Sequence, residues 1–222
     1  MGLACLRADA EEQVDLELVL AVDASGSVDD AEYGLQLQGI AAGFRDATVL
    51  AAMRSGPRQR IAVNLLVWAE HRAPKGTTGW FVLAADSDAE AFARVVEKFP
   101  RRQNGGTGMG EGVVEALRQI EQDSVSGARQ VIDVSGDGPE SPPHDDAVLM
   151  PQAREAALLA GVTINGLAIV TEYPALLGYF EEKVRTGEGS FAMAAQGYGD
   201  FAMAMRRKFL REIEWRPRTA AR

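Results

Sequence analysis

Leu16-Glu-Leu-Val-Leu-Ala-Val22 runs directly into Asp23-Ala-Ser25-Gly-Ser27. Apart from Glu17, the first seven residues are apolar. A short run of this kind, bounded by polar residues, reads as a strand covered on both faces. Such a strand belongs inside a sheet with helices above and below it. The residues that follow are small and polar, the composition of a tight turn leaving a strand end.

The same reading extends outward. Ile61–Trp68 is a second buried strand, Trp80–Ala84 a shorter one at an edge, Val131–Val134 a third buried one and Val162–Val170 a fourth. Phe191–Ala194 reads as a last short strand. Helices are predicted between them: Asp29 or Asp30 to Phe44 and on to Met53, Asp88–Phe99 capped by Ser87, Met109–Gln122, Met150–Ala160 closed by Gly161, and Tyr173–Val184. A final helix, Asp200–Trp215, places Phe201, Met205, Phe209 and Ile213 four apart on one face. Strands alternating with helices predict an α/β fold: doubly wound and Rossmann-like, with a mainly parallel central sheet and helices on both faces. No linker or repeat interrupts it. One domain is expected over 14–215, between tails at 1–13 and 216–222.

Composition narrows the function. The 222 residues carry 23 Lys and Arg against 32 Asp and Glu, a formal charge of -9, which argues against a general nucleic-acid binder. An apolar share of 46% excludes intrinsic disorder. No apolar run is long enough for a transmembrane helix. The segment from Arg206 to Arg222 is basic, and reads first as a solvated helix face with a frayed end. Cys5, the single cysteine, has no disulfide partner and no Cys or His neighbours for zinc. Ala8-x-Ala10 is like a signal-peptidase site. The apolar stretch before it is short, so the expectation is a truncated export signal and a periplasmic or secreted protein, cytoplasmic otherwise.

Ligands of open α/β sheets bind beyond the carboxyl ends of strands. Three loops carry suggestive residues: Asp23-Ala-Ser25-Gly-Ser27 straight after the first strand, Gly105-Gly-Thr107-Gly at the entrance to a helix, and Ser135-Gly-Asp137-Gly straight after the Val131 strand. Together they offer two carboxylates and three hydroxyls. These are hard oxygen donors of the type Mg²⁺ prefers, in octahedral geometry at about 2.0–2.1 Å. Plainer roles exist for three of them. Asp23 and Ser25 suit a capping turn, and Thr107 suits the N-cap of the Met109 helix. Asp133, inside an apolar strand, reads as part of a buried hydrogen-bond network. His71 and His144 fall on loops, and Trp68, Trp80 and Trp215 read as packing residues.

Asp-x-Ser-x-Ser after the first strand, a later Gly-Thr and an Asp-Gly after a central strand resemble the metal-ion-dependent adhesion site (MIDAS) of von Willebrand factor type A (VWA) domains. The resemblance covers roughly residues 14–213. Val131–Pro139, Thr163–Ile169 and the Arg-Arg-Lys of the end helix are similar to an uncharacterised bacterial branch of that superfamily, many of whose members are exported. The resemblance implies that Ser25, Ser27 and Thr107 supply hydroxyl ligands, and that Asp23 and Asp137 bind directly or through water. The implied cofactor is Mg²⁺, or Mn²⁺ or Ca²⁺. The implied partner is a protein offering an Asp or Glu carboxylate to a cation that mostly neutral ligands leave under-neutralised. Metal and partner then bind cooperatively. The sequence departs from easy capture of an acidic partner in one respect. Asp29, Asp30, Glu140, Asp145 and Asp146 make the mouth acidic, fitting either a second cation or plain solvation.

Enzyme readings fare worse. Gly106–Gly112 has Glu111 at the last glycine position of G-x-G-x-x-G and does not follow a strand. The chain has no phosphate-loop lysine motif, no G-x-S-x-G and no H-E-x-x-H. A Mg²⁺-dependent phosphoryl hydrolase would want a carboxylate in place of Ser25 and a positioned lysine. The remaining alternative is a VWA-like scaffold with a structural metal and a partner docked elsewhere, for instance on the basic end helix.

Overall fold

The computed structural model describes residues 12–122, 124–142 and 146–215. Cys5, the Ala8-x-Ala10 pattern, His144, Asp145 and the last three arginines lie outside them. Two strands open the described chain, β1 (Glu12–Val14) and β2 (Leu16–Asp23). After them come α1 (Asp30–Arg45), α2 (Ala47–Met53), β3 (Ile61–Trp68), β4 (Gly76–Leu83) and α3 (Asp86–Glu97). Next are α4 (Met109–Glu121), β5 (Val125–Gly127), β6 (Gln130–Gly136), α5 (Met150–Ala160) and β7 (Thr163–Ile169). The chain ends through α6 (Leu176–Tyr179), β8 (Ala192–Ala195) and α7 (Phe201–Ile213).

Six strands form the main sheet in the order β4-β3-β2-β6-β7-β8. All neighbours are parallel except β3 and β4. All eight residues of β2 are buried, because neighbours flank it and helices cover both faces. Its side chains alternate between two cores. Leu16, Leu18, Leu20 and Val22 join Phe44 of α1, Phe92 of α3 and Phe209 of α7. Val19 and Ala21 join Val113 of α4, Ala153 of α5 and Phe180. Each fully buried Leu, Val or Phe contributes about 1.5–3 kcal/mol. The near-continuous apolar run of β2 is thus matched by a core on each face of the sheet.

Several boundaries differ from the sequence reading, each for a local reason. The long first helix is two. Asp46 ends α1 and caps α2 by accepting the Thr48 and Val49 N–H groups. The α3 helix starts earlier than Ser87 because the Asp88 carboxylate accepts the Ala84 and Ala85 N–H groups. Gly108, not Thr107, holds the N-cap position of α4. The α6 helix is a single turn that widens into a π-helix over Phe180–Val184. The edge strand β4 begins at Gly76, and Glu12 and Gln13, expected in a tail, pair with Val125 and Ser126 in a separate two-stranded sheet.

The end helix is amphipathic as expected, but its buried side is not wholly apolar. Phe201, Met205, Phe209 and Ile213 are buried, and so are Lys208 and Glu212. Lys208 ion-pairs with Asp133 and, at 2.5 Å, with Glu212. Asn165 donates to Glu212 at 2.8 Å. Asp133 is thus buried in an ion pair with Lys208 rather than in the hydrogen-bond network its place in an apolar strand suggests, since neither of its oxygens has a hydrogen-bond partner among the described residues. The exposed-face reading of the basic segment needs correcting for Lys208, which is buried; Arg206, paired with Asp46, and Arg211, 3.7 Å from the Phe191 ring centre, keep their solvent exposure.

Candidate functional site

Parallel strands deliver β2 and β6 to the same end of the sheet, side by side, so their trailing loops meet. Asp23, the last residue of β2, is wholly buried. Its Oδ1 accepts the Ser25 N–H at 2.7 Å, while Oδ2 has no hydrogen-bond partner among the described residues. Burial raises the Asp23 carboxyl to about 7, with the charge of Asp137 adding and the Ser25 hydrogen bonds opposing. A buried carboxylate with an unpartnered oxygen is costly, and a bound cation or proton relieves the cost. Gly136 makes the close approach possible, since a Cβ there would stand 2.9 Å from Asp23 Oδ2.

The serines continue the cluster. Ser25 Oγ lies 3.2 Å from Ser27 Oγ, and Ser27 Oγ donates to Asp137 Oδ1 at 2.7 Å. Asp137 Oδ2 accepts the Tyr198 hydroxyl at 3.0 Å. Burial and the Asp137 charge push that phenol far above its usual range, so it stays a donor. The structure therefore brings Asp23, Ser25, Ser27 and Asp137 into one polar cluster. The second loop is tied to the first through the backbone, where the Gly26 N–H donates to the Gly105 carbonyl at 2.7 Å. Gly105 holds φ +101°, which favours glycine. Thr107 is the outlying member. Its N–H donates to Ser141 Oγ at 2.9 Å and its carbonyl accepts the Ser141 N–H at 3.0 Å. No described hydrogen bond joins its hydroxyl to the other four.

Two residues shape the first loop without appearing in the motif. Arg101 Nη2 donates to the carbonyls of Ala24 at 3.3 Å and Ser25 at 3.1 Å, and to that of Val28. Gln36 Nε2 donates to the Asp23 carbonyl at 3.0 Å. Sequence reasoning gave neither a role, nor Tyr198, because each acts through contacts distant in sequence. A basic residue in a Gly-rich loop was the one visible signal for Arg101.

The acidic mouth is mostly engaged. Asp29 caps α1 by accepting the Glu32 N–H. Asp30 pairs with Arg101 at 2.7 Å and Asp146 with Arg72 at 3.2 Å. Glu140 accepts the Gly110 and Met150 N–H groups, joining the starts of α4 and α5. Among the described residues no group of three or more His, Cys, Asp or Glu is placed to hold a cation. A cleft of about 470 Å³, lined in part by Arg129, Thr163, Phe191 and Arg211, opens at the opposite end of the sheet. It shares no residue with the three loops.

The donor set, two carboxylates and neighbouring hydroxyls around one unpartnered oxygen, fits a hard divalent cation. Fold comparison agrees on the class: this is a VWA-type fold. The pilus adhesin SpaC from Lactobacillus rhamnosus GG superposes with a TM-score of 0.63 at 11% identity, over 90% of this chain and 31% of that one. Proximal thread matrix protein 1 of the mussel byssus, with a zinc-occupied MIDAS motif, gives 0.61 at 14% identity, over 89% and 45%. The vWF domain of the type V pili tip protein Mfa5 from Porphyromonas gingivalis gives 0.56 at 10%, over 94% and 99%. The chain thus spans about a third of the adhesin and under half of the thread protein. No curated protein matches the sequence. Residues 13–217 match the model of the family described as "Protein of unknown function (DUF1194)", and the chain belongs to that family.

Proposed function

We propose that Asp23, Ser25, Ser27, Thr107 and Asp137 hold a divalent cation, Mg²⁺ in the first instance and Mn²⁺ or Ca²⁺ as substitutes. The domain, residues 14–215, then uses that cation to bind a protein partner through an Asp or Glu carboxylate. The observation that carries this reading is the unpartnered Asp23 Oδ2, wholly buried, in a cluster with Ser25, Ser27 and Asp137. Three of the five proposed ligands are neutral hydroxyls, so the cation keeps an appetite for one more anionic oxygen. A partner carboxylate supplies it, which makes partner affinity depend on metal.

The role is recognition rather than catalysis. Lys75, a lysine near these loops, is held by Glu111 and by the Glu70 and His71 carbonyls, so it does not serve as the positioned lysine of a phosphoryl hydrolase. An exported, periplasmic or secreted, location accords with the adhesin and pilus-tip neighbours. No described helix is long and apolar enough to cross a membrane.

Calorimetric titration with Mg²⁺ and Mn²⁺ tests the site. Saturable binding by the wild type, lost in Ser25→Ala/Ser27→Ala with the melting curve unchanged, is the expected result. Equal binding by both proteins would place the metal elsewhere and end this reading.

A further inference from the structure

Asp23 and Asp137 face the same cluster but are not equivalent. Asp23 leaves one oxygen without a partner. Asp137 has both oxygens engaged by hydroxyls, Oδ1 by Ser27 at 2.7 Å and Oδ2 by Tyr198 at 3.0 Å. Tyr198 does not belong to any of the three loops. It opens the 3-10 turn Tyr198–Asp200 that joins β8 to α7, and its ring is buried in the core cluster that includes Val22 and Val28. The turn is itself fastened, since the Asp200 N–H donates to the Gly197 carbonyl and the Asp200 carboxylate accepts the Gln196 N–H. A phenol anchored in a packed core presents its one proton from a fixed point.

We infer that Tyr198 is a positioning residue of the cation site: its hydroxyl withholds one oxygen of Asp137 from the cation and keeps that carboxylate turned toward Ser27. The inference rests on the metal-site reading above. A carboxylate held from behind by a fixed donor cannot swing to offer both oxygens. It instead accepts the Ser27 proton, leaving the serine lone pairs for the cation, in the way that outer carboxylates orient metal-binding side chains. The consequence is specificity for an anionic partner. By restraining one of the chain's own anionic oxygens, Tyr198 preserves a coordination position for an outside carboxylate.

Tyr198→Phe keeps the ring and removes only the hydroxyl. The readout is the water-proton relaxation of bound Mn²⁺, which counts exchangeable waters, with acetate as the carboxylate probe. In the variant, the released Asp137 oxygen takes a position from solvent, so bound Mn²⁺ carries about one exchangeable water fewer in its six-fold shell. Acetate then displaces less water than from the wild type. An unchanged water count and acetate response, in a variant with the wild-type melting curve, would overturn the inference and reduce the hydroxyl to a core hydrogen bond. Absence of any Mn²⁺ binding by the wild type would instead remove the metal-site reading, and this one with it. Should Tyr198→Phe fail to fold, wild-type protein labelled at tyrosine Cζ answers by NMR. Retention of the hydrogen-bonded phenol signal at saturating Mg²⁺ supports the inference, and its loss overturns it.

Discussion

Arg101 donates to the Ser25 carbonyl at 3.1 Å from a loop that begins beyond α3. The same nitrogen reaches the Ala24 and Val28 carbonyls, and Nη1 pairs with Asp30. One guanidinium therefore fixes the curvature of the Asp23–Val28 turn from outside it.

Arg101→Ala releases those carbonyls. The expected cost is about 1–3 kcal/mol of stability, the range for buried polar groups left unsatisfied. Cation affinity should fall by about 10- to 100-fold, as when an outer support of a metal ligand is removed. Denaturant unfolding and calorimetry measure the two effects. Arg101→Lys should rescue little, because an ammonium does not span these acceptors as a planar fork does.

Gly136→Ala inserts a methyl group 2.9 Å from Asp23 Oδ2, so the wholly buried carboxylate must shift. Overpacking of this kind costs about 1–3 kcal/mol. The expected signature is loss of cation binding out of proportion to a modest fall in melting temperature. A variant that melts early but binds Mg²⁺ as well as the wild type would show that Asp23 is not a ligand.

Lys208→Met leaves Asp133 buried without its counter-charge. Removing one partner of a buried ion pair costs about 3–5 kcal/mol. Adding Asp133→Asn to Lys208→Met should recover part of that loss in urea unfolding, since the stranded charge goes with it. Equal destabilisation of single and double variants would mean the lysine acts through packing alone.

Glu212 gives the chain a pH dependence of known sign. Burial, reinforced by the Asp133 charge, pushes its carboxyl up from the ordinary 4.5 to about 8 against the pull of Lys208 and Asn165. Between those values the folded protein holds a proton that the unfolded chain has released. The stability from this group is therefore full below about pH 4.5 and is lost as the pH rises through about 8. Urea midpoints across that window should decline for the wild type. The same limb should be flatter for Glu212→Gln, and an unaltered limb would assign the effect to another group.

Much of this was legible in the chain because β2 is a near-continuous apolar run. The apolar run predicts burial on both faces, and Asp23, Ser25, Ser27 and Asp137 sit at the carboxyl ends of strands that run parallel. The rest depended on partners brought by topology. Nothing near Asp133 announces Lys208, and nothing near Asp137 announces Tyr198. Thr107 looked like an N-cap by its neighbours, yet Gly108 takes that position. The break between α1 and α2 carried a signal in Asp46, a residue type that caps helices. The π-helix after α6 carried none, because a shift from four- to five-residue spacing leaves the apolar pattern of so short a segment intact.

The polar cluster has an order of arrival during synthesis. Ser27 meets Asp137 across 110 residues, and Asp137 meets Tyr198 across another 61. The central strand β2 is made early but must wait for β6 before its second edge is covered. A nascent chain that has released its first strands thus holds Asp23 and the serines with no counterpart. The hydrogen bonds of the cluster are therefore complete only when the segment just ahead of the last helix has been made, so the last restraint on Asp137 is also the last to arrive.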